Sequence, residues 1–337
     1  MTLLETTCAA IREPDLAVRE RTQEILDRKT KPRRSLGRLE DLAAAIAAMR
    51  GTSELPLPEK AIVVMAADHG VAQEGVSAYP QEVTAQMLAN FEGGGAAINV
   101  LARQLGIRLE VVDMGVGSPT ANFVLAPAMS LDQARTHITR GIETAQTLAR
   151  DGITLIGLGD MGIANTTASS AMTAAFFGLD PELVVGRGTG IDDEGLARKI
   201  EVIRRALALH QPDLRDGLGV LAALGGFEIA GLAGVVLGAA AQRVPVVLDG
   251  FITSVAALAA ARIAPAAGKY LIASHRSVEQ GHTAILEDLG LAPLLDLDLR
   301  LGEGSGAALS MGLIESAVRI LAEMATFDSA GVTDAGA

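Results

Sequence analysis

One carboxylate in this chain is framed for chemistry: Gly302-Glu303-Gly304-Ser305-Gly306 stands directly before an apolar helix beginning near Ala307. A Glu at a helix start can simply answer the helix dipole. Glycines on both sides argue for more, because they leave the side chain sterically open and bring the backbone close to something, so Glu303 is read as a functional carboxylate. A second candidate is Gly157-Leu158-Gly159-Asp160-Met161-Gly162, which follows a strand and matches the dinucleotide pattern G-x-G-x-x-G. Asp160 counts against that function, since it puts a carboxylate inside a cradle meant for pyrophosphate, and the motif sits midway along the chain. Asn165-Thr166-Thr167 either caps the next helix or donates to a phosphate or carboxylate at its start. Asp249 ends an apolar run and suits either a ribose hydroxyl or a helix cap. Lys31, Arg187, Lys199 and Arg276 are the basic candidates for a phosphate. The five histidines show no H-E-x-x-H spacing and Cys8 is the sole cysteine, so no metal site is expected.

These residues need a scaffold, and the pattern around them supplies one. Short β-branched runs, Ala61–Ala67, Ile107–Asp113, Ile153–Leu158, Leu183–Gly186, Val244–Leu248 and Lys269–Ala273, alternate with longer amphipathic or apolar stretches. That alternation predicts an α/β fold: a Rossmann-like parallel sheet of about six strands with helices on both faces. Asp68-His69-Gly70, Asp113 to Gly117, Gly159 to Gly162, Gly186 to Gly190, Asp249-Gly250 and Ser274-His275-Arg276 follow the runs. Polar residues and glycines therefore gather at the carboxyl edge of the sheet, where open α/β sheets bind ligands. Residues 1–58 look helical and charged, with a Pro-marked break at Lys31 to Glu40 and a linker at Leu55 to Glu59. The Arg150-Asp151-Gly152 sequence predicts a helix end. With 337 residues, about two domains are expected.

Composition excludes several partners. The net charge of −12 repels a phosphate backbone, and an aromatic fraction of 3% with no Trp leaves no stacking platform for single strands, so nucleic acid is not expected. A lone cysteine and an N-terminus interrupted by Glu5, Arg12, Glu13 and Asp15 point to the cytoplasm and to no export signal. The longest uncharged apolar stretch, Ile229 to Ala241, is about 13 residues, short of the roughly 20 that span a bilayer. It is expected to be a buried helix rather than a membrane segment.

The motifs together resemble the nicotinate-nucleotide:dimethylbenzimidazole phosphoribosyltransferase family over nearly the whole chain. The resemblance rests on Lys31-Pro32 with Ser35 to Glu40, Ala67 to Val71, Tyr79 to Thr84, Gly159 to Thr167, Val247 to Phe251 and Arg300 to Ala308. It implies a Rossmann-like catalytic domain over 59–306, a small helical domain from 1–58 with 307–337, and a homodimer. By its implication Glu303 is the catalytic base, and Tyr79, Met87 and Leu301 line the benzimidazole pocket. Asp160, Gly162, Asn165, Thr166, Lys199, Asp249 and Ser277 hold the nucleotide. The implied substrates are nicotinate mononucleotide and a benzimidazole base, with no cofactor. Two departures stand out: Asp160 replaces a common Glu, one methylene longer, and Arg34 a common Gly. The competing readings are an NAD-dependent oxidoreductase using the Gly157–Gly162 turn, a non-catalytic nucleotide sensor, and a transferase for another aromatic base.

Overall fold

The computed structural model describes residues 1–333 apart from Thr189, Pro212 and Leu214. Thr189, in the Gly186–Gly190 turn, and residues 334–337 therefore lie outside the described residues. Five strands form one parallel sheet: β1 Lys60–Ala67, β2 Arg108–Gly115, β3 Leu155–Met161, β4 Val246–Leu248 and β5 Leu271–Ala273, in spatial order β2-β1-β3-β4-β5. Every residue of β1 is buried, as the unbroken apolar run requires at the centre of a sheet covered on both faces. The β2 edge strand is mostly half-exposed.

The expected strand at Leu183–Gly186 is not formed. Pro181–Leu183 is a 3-10 turn that Asp180 caps through the Glu182 N–H at 2.9 Å, and Val184 and Val185 are buried beyond it. The two valines fill the core next to the helix Asn165–Phe177, whose Ser170 Oγ reaches the Val184 carbonyl at 3.5 Å. Their β-branched signal reflects burial rather than sheet pairing, and the sheet of the described residues has five strands instead of six.

The apolar stretch read as a buried helix runs from Phe227 to Ala241 and is buried through Ala240. It lies against the helix Leu131–Arg150, which ends at Arg150 with Gly152 in the left-handed region at φ +91°. The contact is close because glycines face backbone: a Cβ on Gly234 would stand 2.0 Å from the Ile138 carbonyl oxygen. The helix Ser305–Glu323 is long and apolar enough to cross a membrane by length and composition. It sits against the sheet instead, and the Lys60 Nζ of β1 pairs with its Glu315 at 2.6 Å.

At the N-terminal end, the helix Leu16–Asp27 packs on Arg38–Arg50, which packs on Ser305–Glu323. Lys31 is buried in an ion pair with Glu40 at 2.7 Å in this layer, so it is a structural cation and not a phosphate ligand. Arg34 adopts φ +58°, which is the physical reason a glycine suits that position.

The chain order 2-1-3-4-5 reverses direction between β1 and β3. At such a switch point the connections leave toward opposite faces, and a crevice opens beyond the carboxyl ends of the strands. The candidate site lies at this edge.

Candidate active site

A cleft opens there. Its walls come from the ends of three strands: Asp160 to Ile163 after β3, Gly250 to Ile252 after β4, and His275, Ser277 and Glu279 after β5. Asn165, Thr166, Gly188, Arg300, Leu301 and Gly302 complete it.

The β3 turn passes through Ala164 at φ +74° into the helix Asn165–Phe177, and no side chain caps that helix. The Asn165 and Thr167 N–H groups donate to the Gly162 and Ala164 carbonyls at 3.1 and 2.9 Å, and the positive end of the helix dipole meets the cleft at Asn165 and Thr166, an arrangement suited to an anion. The Asn165 side chain does not act as the cap; its Nδ2 donates to Asp160 Oδ2 at 3.0 Å. The turn is tied down from outside by Thr84, whose Oγ1 accepts the Ile163 N–H at 3.1 Å. Behind Thr166 lies Lys199, 1% exposed, with Nζ donating to Thr166 Oγ1 at 2.8 Å and to the Gly186 carbonyl at 3.4 Å. Burial pulls this ammonium down to about 8, while Glu279 pulls it up. Arg187 and Arg276, the other basic candidates, are half-exposed and face Asp193 and Asp296.

Around β4 and β5 the polar groups hold one another. The Ser277 N–H donates to His282 Nδ1 at 3.0 Å, which fixes the proton on Nε2 facing Ser254 Oγ at 3.0 Å. Burial lowers His282 to about 3 and His275 to about 4, so both rings are neutral at pH 7. Glu279 Oε1 accepts the Gly188 N–H at 3.1 Å, and its buried Oε2 has no hydrogen-bond partner among the described residues. His69, in contrast, is consumed structurally: its Nε2 lies 2.7 Å from Glu228, with both side chains fully buried.

The Glu303 turn packs directly onto β3. Gly302, Glu303 and Gly304 all lie in the left-handed region at φ +83°, +62° and +87°. A Cβ on Gly159 would stand 2.7 Å from the Glu303 carbonyl carbon and oxygen. Gly159 thus exists for the approach of this turn, and Gly157 similarly meets Ile62, Met311 and Ala307. Of the three glycines in the dinucleotide-like pattern, Gly162 alone lines the cleft. The pattern is packing, which removes the basis of the oxidoreductase reading. Glu303 itself is 6% exposed and its Oε2 has no hydrogen-bond partner among the described residues. Burial pushes its carboxyl above the ordinary Glu range, and the Ile98 N–H pulls it down.

Asp160 is pushed well above the ordinary Asp range by burial and then by Asp249, with Asn165 acting the other way. An acid whose pKa is raised by folding contributes stability below its unfolded value of 3.8 that is lost as pH rises through the folded value. The Asp160→Asn variant mimics the neutral form. Its unliganded melting temperature is expected to exceed that of the parent at pH 8 and to converge with it toward pH 4, as thermal scans across that range will show. A difference independent of pH would overturn this account.

The cleft brings together Asp160, Gly162, Asn165, Thr166, Ser277 and Leu301, with Lys199 reaching it through Thr166. Asp249 and Glu303 meet in the adjoining turn, where Asp249 accepts backbone N–H groups rather than facing open space. Tyr79, 53% exposed, and Met87, half-buried on the helix Glu82–Glu92, lie outside the lining. Sequence reasoning missed Glu279, Gly188 and Phe251 as parts of the wall. Gly186 to Gly190 was visible as a turn, but nothing local marks Glu279.

The sheet order, the helix start at Asn165 and the carboxylate-bearing turn beside it are those of an α/β enzyme that binds its ligand at the switch point. The chain belongs to the phosphoribosyltransferase family whose model matches residues 11–332. It is 55% identical over 99% of both chains to the nicotinate-nucleotide–dimethylbenzimidazole phosphoribosyltransferase of Roseiflexus sp. strain RS-1. It is 50% identical, again over 99% of both chains, to the protein of that name from Geobacter sulfurreducens. The solved structure of CobT from Thermus thermophilus superposes with a TM-score of 0.90 at 47% identity, covering 94% of this chain and 99% of that one.

Proposed function

We propose that this protein moves the 5-phosphoribosyl group of nicotinate mononucleotide to 5,6-dimethylbenzimidazole, releasing nicotinate and giving α-ribazole 5′-phosphate for cobalamin synthesis. The observation that carries this reading is the buried, unpaired Glu303 oxygen, held on a turn beside an anion-ready cleft. Family membership supplies the substrates.

The chemistry asks for one base. The leaving nitrogen of nicotinate mononucleotide is already a pyridinium, so its departure gives a neutral ring and needs no general acid, unlike the paired carboxylates of glycosidases. One benzimidazole nitrogen attacks C1′ while the bond to nicotinate breaks. The other nitrogen then loses its proton, and Glu303 accepts it. A carboxylate raised by burial is a stronger base than one in water. The helix start at Asn165 and Thr166, backed by Lys199, takes the phosphate. Leu301, with Tyr79 and Met87 from the neighbouring loop and helix, receives the flat base. Burial around the turn excludes the water that would hydrolyse the nucleotide.

Attack opposite the leaving group inverts C1′, so the β-linked substrate should give only the α-linked product. Incubation with nicotinate mononucleotide and a panel of bases, followed by mass spectrometry and nuclear magnetic resonance of the anomeric proton, tests both points. A β-riboside product, or binding without release of nicotinate, would falsify the reading.

The same proposal includes a cytoplasmic homodimer and a small helical domain formed by residues 1–58 with 307–337. Half-exposed Leu109 and Val111 on the β2 edge, with Val100 exposed on the helix Ala97–Leu105, support a subunit interface on that side. Packing of Leu16–Asp27 on Arg38–Arg50 and of that helix on Ser305–Glu323 supports the small domain.

A further inference from the structure

Asp249 occupies the position expected of a ribose ligand, yet its carboxylate is already engaged. It follows β4 directly and is 1% exposed. Its Oδ1 accepts the Gly306 N–H at 2.6 Å and the Ala307 N–H at 3.1 Å, and its Oδ2 accepts the Gly304 N–H at 3.1 Å. These donors are the residue after Glu303 and the opening of the helix Ser305–Glu323, which has no cap from its own segment. A helix start has orphan N–H groups and a positive dipole end, and a carboxylate from another element satisfies both.

The turn has need of such a hold. Glu303 is a non-glycine residue at φ +62°, a conformation that L-residues other than glycine rarely adopt. A released turn would let Glu303 relax out of it. We propose that Asp249 is a positioning residue: through Gly304, Gly306 and Ala307 it fixes the Glu303 turn so that the carboxylate meets the acceptor-base proton, and it does not bind ribose. This rests on Glu303 being the base.

A double-mutant cycle separates the possibilities. Asn at 249 can accept at its oxygen, but its NH₂ opposes the Gly304 N–H. Asp249→Asn should therefore lower single-turnover transfer by about 10- to 100-fold, the scale of a small misplacement of a reacting group. Calorimetric affinity for nicotinate mononucleotide should stay within about threefold, which also shows that the variant is folded. In a Glu303→Gln background, Asp249→Asn should lower the residual rate no further, since nothing remains for it to position.

An equal loss in both backgrounds overturns the positioning role. So does an affinity drop of tenfold or more with transfer at saturation intact, which is the signature of a ribose ligand. Near-normal turnover of Glu303→Gln alone removes the base assignment and this proposal with it, and that outcome is distinct from the other two.

Discussion

Replacing Glu303 by Gln is expected to lower single-turnover transfer by about 10²- to 10⁴-fold, the usual contribution of a positioned general base. Gln keeps the shape and can stay in the buried turn, but its amide cannot take a proton from the acceptor ring. Three features make the loss large. The Oε2 of Glu303 has no hydrogen-bond partner among the described residues to lose, so the substitution removes chemistry rather than a supporting bond. Burial has raised the carboxyl, which strengthens it as a base. The other two carboxylates nearby are unsuited to replace it: Asp160 is bonded to Asn165, and Asp249 is occupied by three N–H groups. Affinity for nicotinate mononucleotide should change little, because the helix start at Asn165 and the Lys199–Thr166 pair are untouched. Rapid-quench measurement of nicotinate release, beside calorimetric binding, checks both halves. Turnover within a few-fold of the parent would remove Glu303 from the mechanism.

What the residues disclosed in advance depended on whether the relevant physics was local. The Glu303 turn could be read because flanking glycines and the following apolar helix are adjacent in sequence. The long runs of β1 and β3 could be read because buried parallel strands are largely apolar. Val184 and Val185 misled, since burial beneath a helix and pairing in a sheet select the same β-branched residues. Basic residues carried no local sign of their partners: Lys31 found Glu40 in the N-terminal layer and Arg187 found Asp193, while Lys199 reached Thr166 across 33 positions. Asp249 and Gly306 are 57 positions apart, so spacing alone left Asp249 open between ribose acceptor and cap. Glu279 gave no signal, because its partner at Gly188 lies 91 positions away.

The dinucleotide-like pattern gives the sharpest case, and Gly159→Ala turns it into an expected result. A Cβ there would meet the carbonyl carbon and oxygen of Glu303 at 2.7 Å and the Gly304 nitrogen at 2.8 Å. All three are backbone atoms, so no rotamer change relieves the contact, and the turn or β3 must move. Gly159 pairs with Val64 in the centre of the sheet, which leaves the turn as the softer element. The substitution should cost about 1–3 kcal/mol of stability through overpacking. It should also lower transfer by about 10²-fold or more, because Glu303 is displaced from its proton. Affinity for nicotinate mononucleotide should be nearly retained, since Gly162 and the Asn165 helix start form the cleft wall and Gly159 does not. A pyrophosphate-binding role for the pattern demands the reverse, a loss of nucleotide affinity ahead of any loss in rate. Denaturant titration, calorimetric binding and single-turnover rates on this one variant decide between packing and ligand contact, and a folded Gly159→Ala protein with parental transfer would show that the turn does not depend on β3 for its place.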